Sequence, residues 1–183
     1  MPTDPNPSPG PGAAARGQAP ADAAAPTNAA GFQRVCAALA ASGHPHAPRW
    51  LDSSARTSQQ AADALGVALG QIAKSVVFRR LADDAAVVVF ASGDRRIDER
   101  RLAALAGPVG RADAEFVRAR TGFAIGGVSP IALAGTPVLF LDRELLRFDE
   151  IWAAAGHPHG VFRLTPAQLQ ALTGAPLVDV VQW

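Results

Sequence analysis

The 183-residue sequence has no tyrosine, one methionine, one cysteine and one lysine. A lone cysteine excludes an internal disulfide and fits a reducing compartment. Cys36 stands in the apolar pattern Phe32, Val35, Cys36, Leu39, so it reads as a small core residue and not as a nucleophile. No window approaches the ~18 uninterrupted apolar residues of a membrane span. The N-terminus lacks the basic-then-apolar order of a secretory signal. The net charge of +1 gives no global field for nucleic acid, so an RNA contact has to use a local patch. These absences point to a cytoplasmic protein with no membrane partner.

A hydrophobic content of 49% against 18% charged residues is enough for a real core. Residues 1–29 are mostly Pro, Ala and Gly with almost no large apolar side chains, and such a segment cannot offset its ordering entropy. It reads as a disordered tail ahead of a single domain over residues 30–183.

The single lysine is the most informative residue. Lys74 lies inside Gly70-Gln71-Ile72-Ala73-Lys74-Ser75-Val76-Val77-Phe78-Arg79, whose apolar, β-branched flanks predict a buried strand. Every other basic side chain among the 17 is Arg. Arginine is a flat fork that stays charged, whereas lysine is a compact ammonium whose pKa moves when it is desolvated. A snorkelling strand-edge lysine is the alternative to a functional one.

Around this strand the sequence predicts short helices and hairpins. Residues 31–41 have helical apolar spacing, and Thr57-Ser58-Gln59-Gln60 has the form of a capping box. Residues 86–91 are the expected hairpin partner of the Lys74 strand. Helices are predicted over 97–105 and 113–120, and another begins at Thr165-Pro166. Further strands are expected over 136–141, 148–155 and 176–181, with a hairpin tipped by His157-Pro158-His159-Gly160. This order of hairpins and short helices predicts an α+β fold with a mixed or barrel-like sheet.

Three further groups carry chemistry. Thr121 to Pro130 contains Gly126-Gly127, whose backbone freedom lets a ligand approach main-chain N–H groups. Arg95, Arg96, Arg100, Arg101 and Arg111 form a local basic cluster, either a solvated face or an RNA-backbone contact. The only four histidines, His44, His46, His157 and His159, sit in two His-Pro-His turns that a metal hydrolase would have to bring together. With no nearby Cys or acidic partner, surface turns are the better reading, and neither metal nor cofactor is expected.

Five stretches in this order resemble the YbaK/EbsC group of prolyl-tRNA synthetase-associated editing domains, the free-standing aminoacyl-tRNA deacylases. They are the capped helix from Thr57 to Gly66, Gln71 to Phe78, Ser92-Gly93-Asp94-Arg95-Arg96, Thr121 to Pro130, and Ala153 to Pro158. The resemblance covers about residues 31–181. It implies a mixed-strand pseudo-barrel wrapped by short helices, and hydrolysis of the ester between an amino acid and the terminal ribose of a mischarged tRNA. It implies an essential role for Lys74 and a substrate loop from Gly126 to Pro130, through Val128. The family is also thought to use a ribose hydroxyl of the substrate, which accounts for the lack of a Ser–His–Asp set.

An acyl ester is already activated, so hydrolysis needs mainly a positioned water and stabilisation of oxyanion charge. Gly126 and Gly127 N–H groups are the expected oxyanion donors, and Lys74 the expected electrostatic anchor, with a base role open to it if burial lowers its pKa. Ser129 is the candidate for orienting substrate or water, Asp142 for meeting the amino group, and His157 for the rim. With no tyrosine, any role a relative gives to that residue is either absent or moved, with Phe123 the candidate to take it. The implied partners are the acceptor end of an aminoacyl-tRNA, such as Cys- or Ala-tRNA(Pro), and an aminoacyl-tRNA synthetase. The competing reading is a non-catalytic ligand-binding or synthetase-associated adaptor module.

Overall fold

The computed structural model describes residues 29–182, so the tail reading lies outside the described residues apart from Ala29. Ala29 is buried, and its carbonyl accepts from the Gln33 N–H at 3.0 Å. The described elements run α1 (Ala30–Ala41), β1 (Arg49–Trp50), α2 (Ser58–Leu65), β2 (Ile72–Arg80), β3 (Ala86–Ser92), α3 (Glu99–Ala106) and β4 (Val109–Arg111). They continue with α4 (Ala114–Thr121), β5 (Val138–Asp142), β6 (Ile151–Ala154), β7 (Gly160–Leu164), α5 (Pro166–Thr173) and β8 (Leu177–Val178). This is the expected α+β class with one mixed sheet. No helix among the described residues is long and apolar enough to cross a membrane.

Eight strands form the sheet in the order β1-β7-β6-β2-β3-β5-β8, with β4 added on β2. All seven residues of β3 are buried, which is why its sequence is a continuous apolar run: both faces are covered. On one face Val88, Phe90, Leu141, Ile151, Phe162 and Leu164 pack with α1, α4 and α5. On the other, Val87, Val89 and Phe140 pack against Leu102 and Ala106 of α3. The capping box at Thr57 forms as read, with Gln60 N–H donating to Thr57 Oγ1 at 3.2 Å, and the cap expected at Thr165 proves to be a second one, with Gln168 N–H donating to Thr165 Oγ1 at 3.1 Å.

Two local expectations are corrected. The helix predicted from Ile97 starts at Glu99, because Asp98 accepts from the Arg100 and Arg101 N–H groups while Ile97 bridges to Val181. The strand predicted over 176–181 shortens to Leu177–Val178, because the Val180 N–H donates to an Asp142 carboxylate oxygen at 2.9 Å.

One feature of the sheet positions the site. β2 pairs along Ala73–Arg79 with β3 on one edge. On its other edge it pairs with β6 only at Ile72 and Ala73, and with β4 only at Phe78–Arg80. Among the described residues, 74–77 therefore have no strand neighbour on that side, and the sheet is split beside the middle of β2.

Candidate active site

A cleft of about 330 Å³ opens at this split. Its walls are residues 72–77 of β2, Ile125, Gly126 and Val128 of the loop after α4, residues 55–58 leading into α2, and the β6–β7 region around Trp152 and Pro158. Lys74 and Arg56 are the cations of the lining, and no lining residue is acidic.

Lys74 is held by the turn that follows β3. Its Nζ donates to the Gly93 carbonyl at 3.4 Å and to the Arg95 carbonyl. That turn is itself braced: Ser92 Oγ lies 2.6 Å from the Gly70 carbonyl oxygen and 2.7 Å from Asp94 Oδ1, which also accepts from Arg147 at 2.8 Å. Burial pushes the Lys74 ammonium below its usual pKa, opposed by the nearby Asp94 charge. Burial works to raise the Asp94 carboxyl, but hydrogen bonds from Arg147 and Ser92 keep it below the usual carboxylate range. An ammonium has three donors and two meet carbonyls here, so one remains for a ligand.

The loop after α4 brings Gly126 and Val128 to the same cleft. Gly126 has φ +87°, a conformation that side-chain-bearing residues rarely adopt. The Gly127 N–H donates to the Ala124 carbonyl at 3.0 Å, so it closes the turn and is not a free oxyanion donor, contrary to expectation. The Gly126 and Val128 N–H groups have no partner among the described residues and are the donors the loop offers. Gly127 instead allows close packing: a Cβ there would lie 2.9 Å from the Cα of His157.

None of the other candidates lines the cleft; Phe123, Ser129, Pro130 and His157 build or back its wall. Phe123 is buried under the Arg34 guanidinium, which stands 4.2 Å from its ring and donates to the Gly122 and Ala132 carbonyls at 3.1 Å. Ser129 is fully buried, with Oγ accepting from the Ile131 N–H at 3.4 Å, and Pro130 is buried beside it. His157 stacks on Trp50 at 4.6 Å in the neighbouring hairpin, and burial, helped by His159, lowers its pKa. Asp142 is remote: its buried carboxylate accepts from the Glu144 N–H at 3.0 Å and from Val180, and burial raises its pKa.

The histidines form two separate pairs, with ring centroids 5.9 Å apart for His44–His46 and 5.6 Å for His157–His159. Among the described residues no group of three or more His, Cys, Asp or Glu side chains is placed to hold a metal ion. Within the basic cluster Arg95 pairs with Glu144 at 2.8 Å and Arg101 approaches Asp98 at 3.8 Å.

Arg56, Ser75 and Trp152 line the cleft but do not stand out in the sequence. The signals were there in part: Arg56 immediately precedes the capping box, and Ser75 follows the sole lysine. Trp152 arrives through the parallel β2–β6 pairing, which no local pattern announces.

Comparison with known proteins matches residues 52–172 to the aminoacyl-tRNA editing domain. A Bacillus subtilis (strain 168) protein, the uncharacterized YwhH, is 38% identical over 119 residues, spanning 64% of this chain and 75% of its own length. A crystal structure of a candidate trans-editing enzyme for prolyl tRNA synthetase superposes with a TM-score of 0.77 at 40% identity, covering 84% of this chain and 98% of that one. The structure of the hypothetical protein APE2540 gives 0.76 at 31% identity over 81% and 99% of the two chains.

Proposed function

The chain belongs to the aminoacyl-tRNA editing domain family, and from that membership we propose that it hydrolyses, in trans, the ester of a mischarged aminoacyl-tRNA. The observation that carries this reading is one cleft bounded by both Lys74 and the Gly126–Val128 loop. Water adds to the ester carbonyl carbon and the acyl–oxygen bond breaks. The ribose oxygen leaves with one proton of the water, the other passes to solvent, and the amino acid is released as its carboxylate. The Gly126 and Val128 N–H groups meet the oxyanion as it develops, each such donor being worth ~2.7–4 kcal/mol. Lys74 and Arg56 hold the terminal ribose and its phosphate by charge, since nothing acidic lines the cleft to oppose them. Phe123, Ser129 and Pro130 keep the loop in shape, and His157 backs it at Gly127.

The volume of about 330 Å³ lies at the small end of ligand pockets and favours a compact amino acid. With the prolyl-tRNA synthetase link of the 40%-identical relative, this supports Cys- or Ala-tRNA(Pro) as substrate and that synthetase as the partner that hands it over. A panel of mischarged tRNAs, assayed for amino-acid release with wild type and Lys74→Ala, tests the reading. Release by wild type and its loss in the variant are expected. No release from any tRNA, under conditions where a known deacylase works, overturns it.

A further inference from the structure

Three buried side-chain polar atoms among the described residues lack a hydrogen-bond partner in the protein: Ser75 Oγ, Trp152 Nε1 and Asp84 Oδ1. The last is ion-paired with Arg79. The two true orphans, Ser75 and Trp152, both line the cleft. Folded proteins pair nearly all such atoms, so an orphan calls for an explanation, and a shared ligand supplies one for both.

The main chain at Ser75 points the same way. The Arg80 N–H donates to the Ala85 carbonyl at 2.8 Å, closing the β2–β3 hairpin. In an antiparallel pair the main-chain groups alternate from edge to edge. Even-numbered residues of β2 therefore face β3, and Ser75 and Val77 turn their N–H and C=O groups to the split edge, where no described strand meets residues 74–77. Ser75 thus brings a carbonyl and an N–H to the edge of the cleft with a buried hydroxyl beside them, and none of the three is engaged by a described residue.

We propose that Ser75 is the recognition point for the α-amino group of the aminoacyl substrate, with its Oγ and C=O as the acceptors. This rests on the deacylase reading of the cleft. A protonated amine is donor-only and needs oxygens, and a carboxylate is the usual answer. Here no carboxylate lines the cleft, and the neutral oxygens at Ser75 and Val77 are the acceptors that the open strand edge presents. Neutral acceptors also leave the Lys74 charge uncancelled, so it stays available to the ester and the terminal phosphate. Trp152 Nε1–H, a donor with no acceptor capacity, takes an oxygen of the same ligand.

The test pairs a protein change with a ligand change. The probes are 3′-alanylamido-3′-deoxyadenosine, which cannot be deacylated as an ester, and its propionyl counterpart lacking the amino group. Dissociation constants are measured by calorimetry for wild type and Ser75→Ala. Wild type is expected to prefer the alanyl probe, and Ser75→Ala to narrow that preference about tenfold, the scale of a hydrogen bond to a charged group. Thermal stability of Ser75→Ala is expected to equal or exceed wild type, because the hydroxyl it removes is bonded to no described protein group. An unchanged preference overturns the proposal, as does failure of wild type to bind either probe. The release assay separates the two readings: probe discrimination through Ser75 without tRNA turnover refutes the deacylase and keeps the amine site, and turnover with unchanged discrimination does the reverse.

Discussion

Lys74 reaches from near the start of β2 to the turn beyond β3, where its Nζ stands 3.4 Å from the carbonyl oxygen of Gly93. The side chain is thereby fixed at the edge of the cleft and partly stripped of water. Burial lowers its pKa from the usual 10.5, with Asp94 opposing the shift. If the ammonium is the working form, deacylation fails on the alkaline side, as pH rises through the lowered pKa. The stability effect has the opposite sign. Between the lowered folded pKa and 10.5 the unfolded chain binds the extra proton, so stability rises with pH there. Wild type should therefore gain on Lys74→Met across that window. Release rates and denaturation midpoints, measured against pH on both proteins, check the two slopes. An alkaline rise in rate would make Lys74 a base instead.

The loop that faces Lys74 depends on two glycines for different reasons. Gly126 has φ +87°, so Gly126→Ala should cost about 1–2 kcal/mol through its backbone alone. Gly127→Ala would set a Cβ 2.9 Å from the Cα of His157, and main chain cannot yield as a flexible side-chain tip can. The loop must then lift from the hairpin. We expect Gly127→Ala to lose more deacylation than Gly126→Ala at comparable melting temperature, with hydrogen exchange over residues 122–131 accelerated. Equal, small effects on both would mean that the seating of this loop does not matter.

Much of this architecture is legible locally. Thr57 with Gln60 and Thr165 with Pro166 announce their helices, and the apolar run at residues 86–91 announces the buried centre of the sheet. β4 is not legible: it is three residues long with Gly110 at its centre, and it exists because β2 offers an edge at Phe78–Arg80. In the site, Lys74 and Gly126 are conspicuous by residue type. Arg56, Ser75 and Trp152 are ordinary residues that become a cleft only when β2 pairs with a strand some 80 positions later. The split beside residues 74–77 is a property of register, and register across such a distance leaves no periodic trace.

His157 gives the loop a pH dependence of its own. It stacks on Trp50 at 4.6 Å, and burial, aided by His159, holds its pKa below the ordinary 6.5. As pH falls through 6.5 the unfolded chain takes up a proton at this position before the folded chain does, so stability declines on acidification. Melting temperature followed from pH 7.5 to 5 should fall, and His157→Gln should flatten that slope. A slope unchanged by the substitution would assign the acid sensitivity to other groups.

Asp142 separates a structural carboxylate from a substrate contact. Its oxygens accept from the Glu144 and Val180 N–H groups, joining the end of β5 to the segment after β8. It is fully buried and lies outside the cleft lining. Asp142→Asn leaves one oxygen for two N–H donors and turns an amide N–H₂ toward the other, so one buried donor is orphaned. The expected cost is about 1–3 kcal/mol of stability, read from the denaturant midpoint. The rate of amino-acid release per folded molecule should be unchanged, because no reacting atom is within reach of this carboxylate. A fall in kcat/KM with the midpoint intact would return Asp142 to the role of amino-group contact and would remove that role from Ser75.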